Sequence, residues 1–132
     1  MHRFLPLAAL VLALVSGGCK SQAGVETEVA TPVSYSGSAG ISVEEARSRV
    51  ADGALLVCAY PDEAKCELYG IDPAISLTQL EGQLDEIGTS REILFYCACP
   101  DDATAKKRAA ELRARGYRAD FVRGGFHALA GQ

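Results

Sequence analysis

The sequence predicts an α/β domain with a small, mostly parallel sheet flanked by helices. Three observations carry this. Short, continuous apolar runs of the kind buried parallel strands show alternate with segments of helical period. Two stretches carry the Ser/Thr-x-x-Glu signature of a helix start. Glycines follow the periodic segments, where helices commonly stop.

Ser42 with Glu45 three residues on forms a capping box, and the helix it opens runs to about Ala51 before Asp52-Gly53. Ala54 to Ala59 is a continuous apolar run and reads as the first buried strand. Tyr60 to Pro73 carries charge, Gly70 and two prolines, and reads as irregular. A brief apolar piece, Ala74 to Leu77, leads to a second capping box at Thr78 and Glu81. The helix that follows places Leu80, Leu84 and Ile87 on one face and stops at Gly88. Glu92 to Cys97 is the next strand. A long helix from about Ala103 to Arg115 ends at Gly116, Arg118 to Val122 is the last strand, and Gly124-Gly125 turns into a final short helix. The glycine pair suits a tight turn, since the spacing of a phosphate loop is absent.

The N-terminus follows other rules. Met1-His2-Arg3 precedes an apolar run from Phe4 to Val15, too short to span a ~30 Å hydrocarbon core. A positive start, a short apolar run and the small residues Ser16-Gly17-Gly18 describe a signal peptide over residues 1–18. Cys19 follows at once. This arrangement resembles the bacterial lipoprotein signal, although Ser16 stands where Leu is usual. The resemblance implies lipidation at Cys19, with Lys20 in place of the Asp that favours inner-membrane retention. The expected location is therefore the bacterial cell envelope, anchored by lipid to the outer membrane and facing the periplasm. Residues 19–40 are small and polar, without apolar period, and read as the lipidated cysteine with a flexible tether. Residues 41–132 form the folded domain.

The chain of 132 residues has a formal net charge of −4. Removing the leader takes away Arg3 and no acid, so the mature domain is slightly more acidic. It offers no electrostatic footprint for nucleic acid. Of the five cysteines, Cys58, Cys66, Cys97 and Cys99 remain after Cys19 is set aside. In an oxidising compartment an even set invites disulfides, and spacing does not choose among the three pairings. Cys66, in a polar segment, suits a disulfide half or an exposed thiol.

The most informative stretch is Ile93-Leu94-Phe95-Tyr96-Cys97-Ala98-Cys99-Pro100. A cysteine at the C-terminal end of a strand, just before a helix start, meets free backbone N–H groups and the positive end of the helix dipole. Both stabilise a thiolate. In open parallel sheets ligands bind at this rim, where Cys58 also falls. A Cys-x-Cys pair can hold a soft metal. With no histidine nearby, neither metal nor cofactor is expected.

Six motifs occur in an order that resembles the rhodanese-like family of single-domain sulfurtransferases. They are Ser42-Val43-Glu44-Glu45-Ala46, Leu55-Leu56-Val57, Gly70-Ile71-Asp72-Pro73-Ala74-Ile75, Phe95-Tyr96-Cys97, Ala109-Ala110-Glu111-Leu112 with Gly116-Tyr117, and Gly124 to Leu129. The resemblance spans about Ile41 to Gly131. It implies a cysteine that takes up sulfane sulfur as a persulfide and passes it to a thiol or cyanide, so the implied partners are a small sulfur donor and a thiol acceptor. No protein partner is legible. By the Tyr-Cys junction the reactive residue is Cys97. Counting back from the Leu112 helix gives Cys99 as the alternative. The strand end favours Cys97.

The implied active loop, Ala98, Cys99, Pro100, Asp101, Asp102, Ala103 and Thr104, departs from the family pattern of Gly with Arg or Ser. Pro100 removes an N–H donor. Asp101 and Asp102 are expected at the helix's positive end, where they would repel an anionic donor. Cys58 and Tyr60 stand where the family has Asp and Arg. The resemblance sets the two strands side by side, so Cys58 is a candidate resolving thiol within disulfide reach of Cys97. Two further functions stay open. One is a dithiol redox protein using Cys97 with Cys58 or Cys99, and the other is an inactive fold serving as a binding module. Lys106, Lys107 and Arg108 read as a solvated helix face, and His127 as a structural or surface histidine near the rim.

Overall fold

The computed structural model describes residues 39–131. The leader, the lipidation site at Cys19 and the tether to residue 38 lie outside the described residues. Eight elements follow in order: α1 Val43–Ala51, β1 Leu55–Cys58, α2 Glu63–Leu68, α3 Leu77–Ile87, β2 Glu92–Tyr96, α4 Ala103–Ala114, β3 Arg118–Phe121 and α5 Gly125–Leu129. The strands form a parallel sheet in the order β1-β2-β3. Leu55 pairs with Ile93 and Cys58 with Tyr96, while Glu92 pairs with Arg118 and Phe95 with Phe121. Parallel single-residue bridges widen the sheet at both edges, Val57 with Ile75 and Ile41 with Val122.

Side chains alternate across a strand, so each strand feeds both layers. Val57, Ala59, Ile93, Phe95, Cys97, Ala119 and Phe121 pack against Leu80 and Leu84 of α3 and Ala105, Ala109 and Leu112 of α4. Leu56, Cys58, Leu94, Tyr96 and Val122 face the other way, onto Ile41, Ala46 of α1, Cys66 of α2 and Leu129 of α5. Helices therefore cover both faces, as an all-parallel sheet demands. Each large side chain enclosed here contributes about 1.5–3 kcal/mol of transfer free energy.

Two local expectations are corrected. The segment read as irregular contains α2, whose N-cap Asp62 accepts a hydrogen bond from the Ala64 N–H at 2.9 Å. A six-residue helix cannot hold itself in water, so its burial through Cys66 decides its existence. The second capping box is not Thr78 with Glu81 but Ser76 with Gln79, two residues earlier. The Ser76 hydroxyl accepts from the Gln79 N–H at 3.2 Å, and the Gln79 side-chain oxygen accepts from the Ser76 N–H at 2.9 Å. Glutamine serves the box as well as glutamate. At α1, Ser42 accepts from the Glu45 N–H as expected, but the Glu45 carboxylate pairs with Arg49.

Candidate functional site

β2 delivers the chain to the rim at Tyr96, and a turn from Cys99 to Asp102 leads into α4, with the Asp102 N–H donating to the Cys99 carbonyl at 3.3 Å. Asp102 occupies the left-handed region at φ 57° and is the N-cap of α4. Its carboxylate turns inward, accepting from the Gly124 N–H through Oδ2 at 3.0 Å. Cys97 is tied to the same turn, since the Phe126 N–H donates to its carbonyl at 2.9 Å. Gly125 is required there: at φ +49° a Cβ would lie 1.9 Å from the Cys97 oxygen.

A helix start leaves free N–H groups, and the fate of those in α4 defines the site. The Ala103 N–H donates to Oδ1 of Asp101 at 3.2 Å. The Thr104 amide acts to lower the Cys99 thiol and the Ala105 amide that of Cys97. Both thiols thus sit over the positive end of one helix. Asp101 takes an amide for itself, and Asp102 faces the interior. The expected pair of acids crowding the helix end reduces to Asp101, which is exposed.

The two thiols differ in surroundings. Cys97 is fully buried in the α3/α4 layer. Burial pushes its thiol up to about 11, and the hydrogen bond with Cys99 pushes the same way. Cys99 is half-buried. Burial raises its thiol too, but hydrogen bonds from Cys97, Thr104 and Tyr60 outweigh that and bring it down to about 7. Its sulfur lies 3.2 Å from Oγ1 of Thr104 and 3.4 Å from the Tyr60 hydroxyl. The Tyr60 oxygen accepts the Ala98 N–H at 3.0 Å, which leaves the phenolic proton free to point at Cys99. Burial and Cys99 together push the phenol up to about 12, so it stays a donor at neutral pH. Tyr60 was legible only as a residue standing where Arg is usual. The signal for its role is a polar-tipped aromatic just beyond a strand that ends at the rim.

Cys58 is corrected. It is bonded to Cys66, with Cα atoms 5.8 Å apart, while Cys97 and Cys99 are free. Register gives the reason. Cys58 pairs with Tyr96, not Cys97, so its side chain points into the opposite layer. Adjacent strands brought the two cysteines close in the chain plane but onto different faces, and Cys58 does not serve as a resolving thiol for Cys97.

The basic run divides. Lys106 donates to the Asp101 carbonyl at 2.6 Å and lies over the Phe121 ring, whereas Lys107 is exposed. Arg108 pairs with Glu111 at 2.9 Å and reaches the Ala59 carbonyl at 3.4 Å, beside the base of Tyr60. His127 is exposed and meets the edge of Phe126. Among the described residues, no group of three His, Cys, Asp or Glu is placed to hold a metal ion.

Comparison with solved structures places this architecture. The BH2092 protein of Bacillus halodurans superposes with a TM-score of 0.56 at 22% identity, over 70% of this chain and 71% of that one. A rhodanese-related protein from Thermoplasma volcanium gives 0.54 at 14% identity, over 70% of this chain and 90% of that one. The fold is rhodanese-like. The same fold appears within reduced Bacillus anthracis CoADR-RHD, at a TM-score of 0.53 and 22% identity over 70% of this chain, where the match spans only 16% of that larger protein. No family model and no curated protein matches the sequence. Within this rhodanese-like fold the Cys97–Thr104 loop lies at the C-terminal rim of the sheet, where parallel α/β folds bind ligands.

Proposed function

We propose that the domain handles sulfane sulfur at Cys99, through a persulfide. The observation that carries this is the placement of the Cys99 sulfur: half-exposed, over the amide of Thr104, and within reach of two hydroxyls. A thiolate is the nucleophile in such chemistry, and a thiol brought down to about 7 is substantially ionised at neutral pH. Cys97, kept protonated by burial, acts as a donor to its neighbour. The preference drawn from the strand end therefore passes to the alternative.

The Cys99 thiolate attacks the terminal sulfur of a polysulfide, an S–S bond breaks, and the shortened polysulfide leaves with the electron pair. A thiolate or cyanide then attacks the outer sulfur of the Cys99 persulfide and regenerates the thiolate. Exposed Asp101 at the loop weighs against the dianion thiosulfate as donor.

The test is cyanolysis with polysulfide and with thiosulfate, on the wild type and on Cys99→Ser and Cys97→Ser. Thiocyanate from polysulfide, lost in Cys99→Ser, with a mass gain of one sulfur atom on the peptide holding Cys99, is expected. Absence of thiocyanate with both donors sinks the reading. A second reading, a Cys97–Cys99 dithiol couple, is favoured by two free cysteines with one residue between them, each thiol perturbing the other. Mild oxidation followed by disulfide mapping separates them.

Anchoring through lipid at Cys19 and a periplasm-facing site complete the proposal. A Cys58–Cys66 disulfide suits such an oxidising compartment. Metabolic labelling with a fatty-acid probe, lost in Cys19→Ala, tests it.

A further inference from the structure

Cys58 and Cys66 close a short loop, with a sequence separation of 8, and Tyr60 lies inside it. The bond is not enclosed on all sides. It walls a cavity of about 290 Å³, together with Glu63, Glu67, Ser76, Gln79 and Tyr96. Cys66 is the more accessible half, at 9% against 2% for Cys58. The same loop carries α2, and the ring of Tyr60 rests on what α2 supplies: the Lys65 ammonium lies 5.2 Å from the ring centre, and the Tyr69 ring 6.1 Å from it. Six helical residues cannot keep that position unaided. The disulfide therefore fixes the backing of the tyrosine whose hydroxyl contacts Cys99.

We propose that the Cys58–Cys66 disulfide is a second redox site, opened by a dithiol reductant through the cavity that it walls, and that opening it frees Tyr60 from Cys99. The coupling to Cys99 rests on the function proposed above; the redox site does not. One thiolate of the reductant attacks Sγ of Cys66, the disulfide bond breaks, and Cys58 leaves as thiolate and takes a proton. The reductant's second thiolate attacks the mixed disulfide, releasing Cys66 and closing the reductant's own disulfide. Two electrons and two protons pass to the protein. Glu63 and Glu67 line the same cavity, so a neutral dithiol is preferred over an anionic monothiol.

The experiment treats the folded protein with dithiothreitol or with glutathione, and follows each cysteine by alkylation and mass spectrometry. Dithiothreitol is expected to open Cys58–Cys66 without denaturant, faster than glutathione at equal thiol. A bond that yields only in denaturant overturns the redox site. The pH midpoint of Cys99 alkylation is then measured in oxidised wild type, in desalted reduced wild type, in Tyr60→Phe, and in Cys58→Ser/Cys66→Ser where circular dichroism shows it folded. Opening the bond is expected to raise the midpoint by about one pH unit, as loss of a hydrogen bond to the thiolate does, and Tyr60→Phe to match it. A midpoint unmoved by reduction but raised in Tyr60→Phe overturns the coupling alone. An ordinary thiol midpoint for Cys99 in oxidised wild type instead overturns the function on which the coupling rests.

Discussion

Asp102 and Gly124 join the Cys99 loop to the last helix: Oδ2 of the buried Asp102 carboxylate accepts the Gly124 N–H at 3.0 Å. The residue that the sequence sets at the helix start, as a source of repulsion, is in the structure a tie between the Cys99 turn and the Gly124-Gly125 turn. Its other oxygen, Oδ1, has no hydrogen-bond partner among the described residues. A single amide thus holds the carboxylate in place.

Asp102→Ala is expected to lose about 1–3 kcal/mol, because it removes the hydrogen bond that ties the two turns and leaves alanine on a left-handed backbone. Asp102→Asn keeps an acceptor and tolerates the left-handed backbone, so its loss is smaller. Urea unfolding of both variants checks the order.

Gly125→Ala is expected to cost more. A Cβ 1.9 Å from the Cys97 carbonyl forces the two turns apart at a φ that side chains resist. Overpacking of this kind costs about 1–3 kcal/mol, and the left-handed backbone adds about 1–2 kcal/mol. The melting temperature falls by roughly 10 °C or more for a domain this size, and the Phe126 amide gains hydrogen exchange.

Thr104→Val retains the backbone amide that reaches Cys99 but deletes the hydroxyl at 3.2 Å. The Cys99 alkylation midpoint is expected to rise from about 7, with Cys97 unreactive below about 11. Alkylation rates across pH, read peptide by peptide, show whether the hydroxyl or the amide carries the effect.

The two thiols imprint opposite slopes on stability. Cys99 has a folded value below the ordinary 9.0, so between about 7 and 9 the unfolded chain holds the extra proton and stability rises with pH. Its contribution is present above 9 and is lost as pH falls through about 7. Cys97 has a raised value near 11, so between 9 and 11 the folded chain holds the extra proton and stability falls. Subtracting the curve of Cys99→Ser from that of wild type isolates the rise, and Cys97→Ser isolates the fall. A flat Cys99 difference between pH 7 and 9 contradicts the perturbed thiol.

Much of this was legible in the chain. Ser42 and Glu45, the Leu55–Cys58 apolar run, the Leu80 and Leu84 face and the Glu92–Tyr96 strand are local signals, set by cap chemistry and by the period of apolar residues, and the structure places all of them where those signals point. They determined an α/β domain with a parallel sheet and a cysteine-bearing loop at its rim. Tertiary structure decided which cysteines pair and which stay free. Strand adjacency suggested that Cys58 and Cys97 meet, but the register sets Cys58 opposite Tyr96 and onto the other layer. Nothing local to Cys58 encodes a register, which depends on the packing of both layers at once. The same holds for Tyr60 and Cys99, 39 positions apart and 3.4 Å from each other. Their contact exists only because two strands end at one rim, and a chain pattern records residue types in order, not the through-space partners that perturb a thiol.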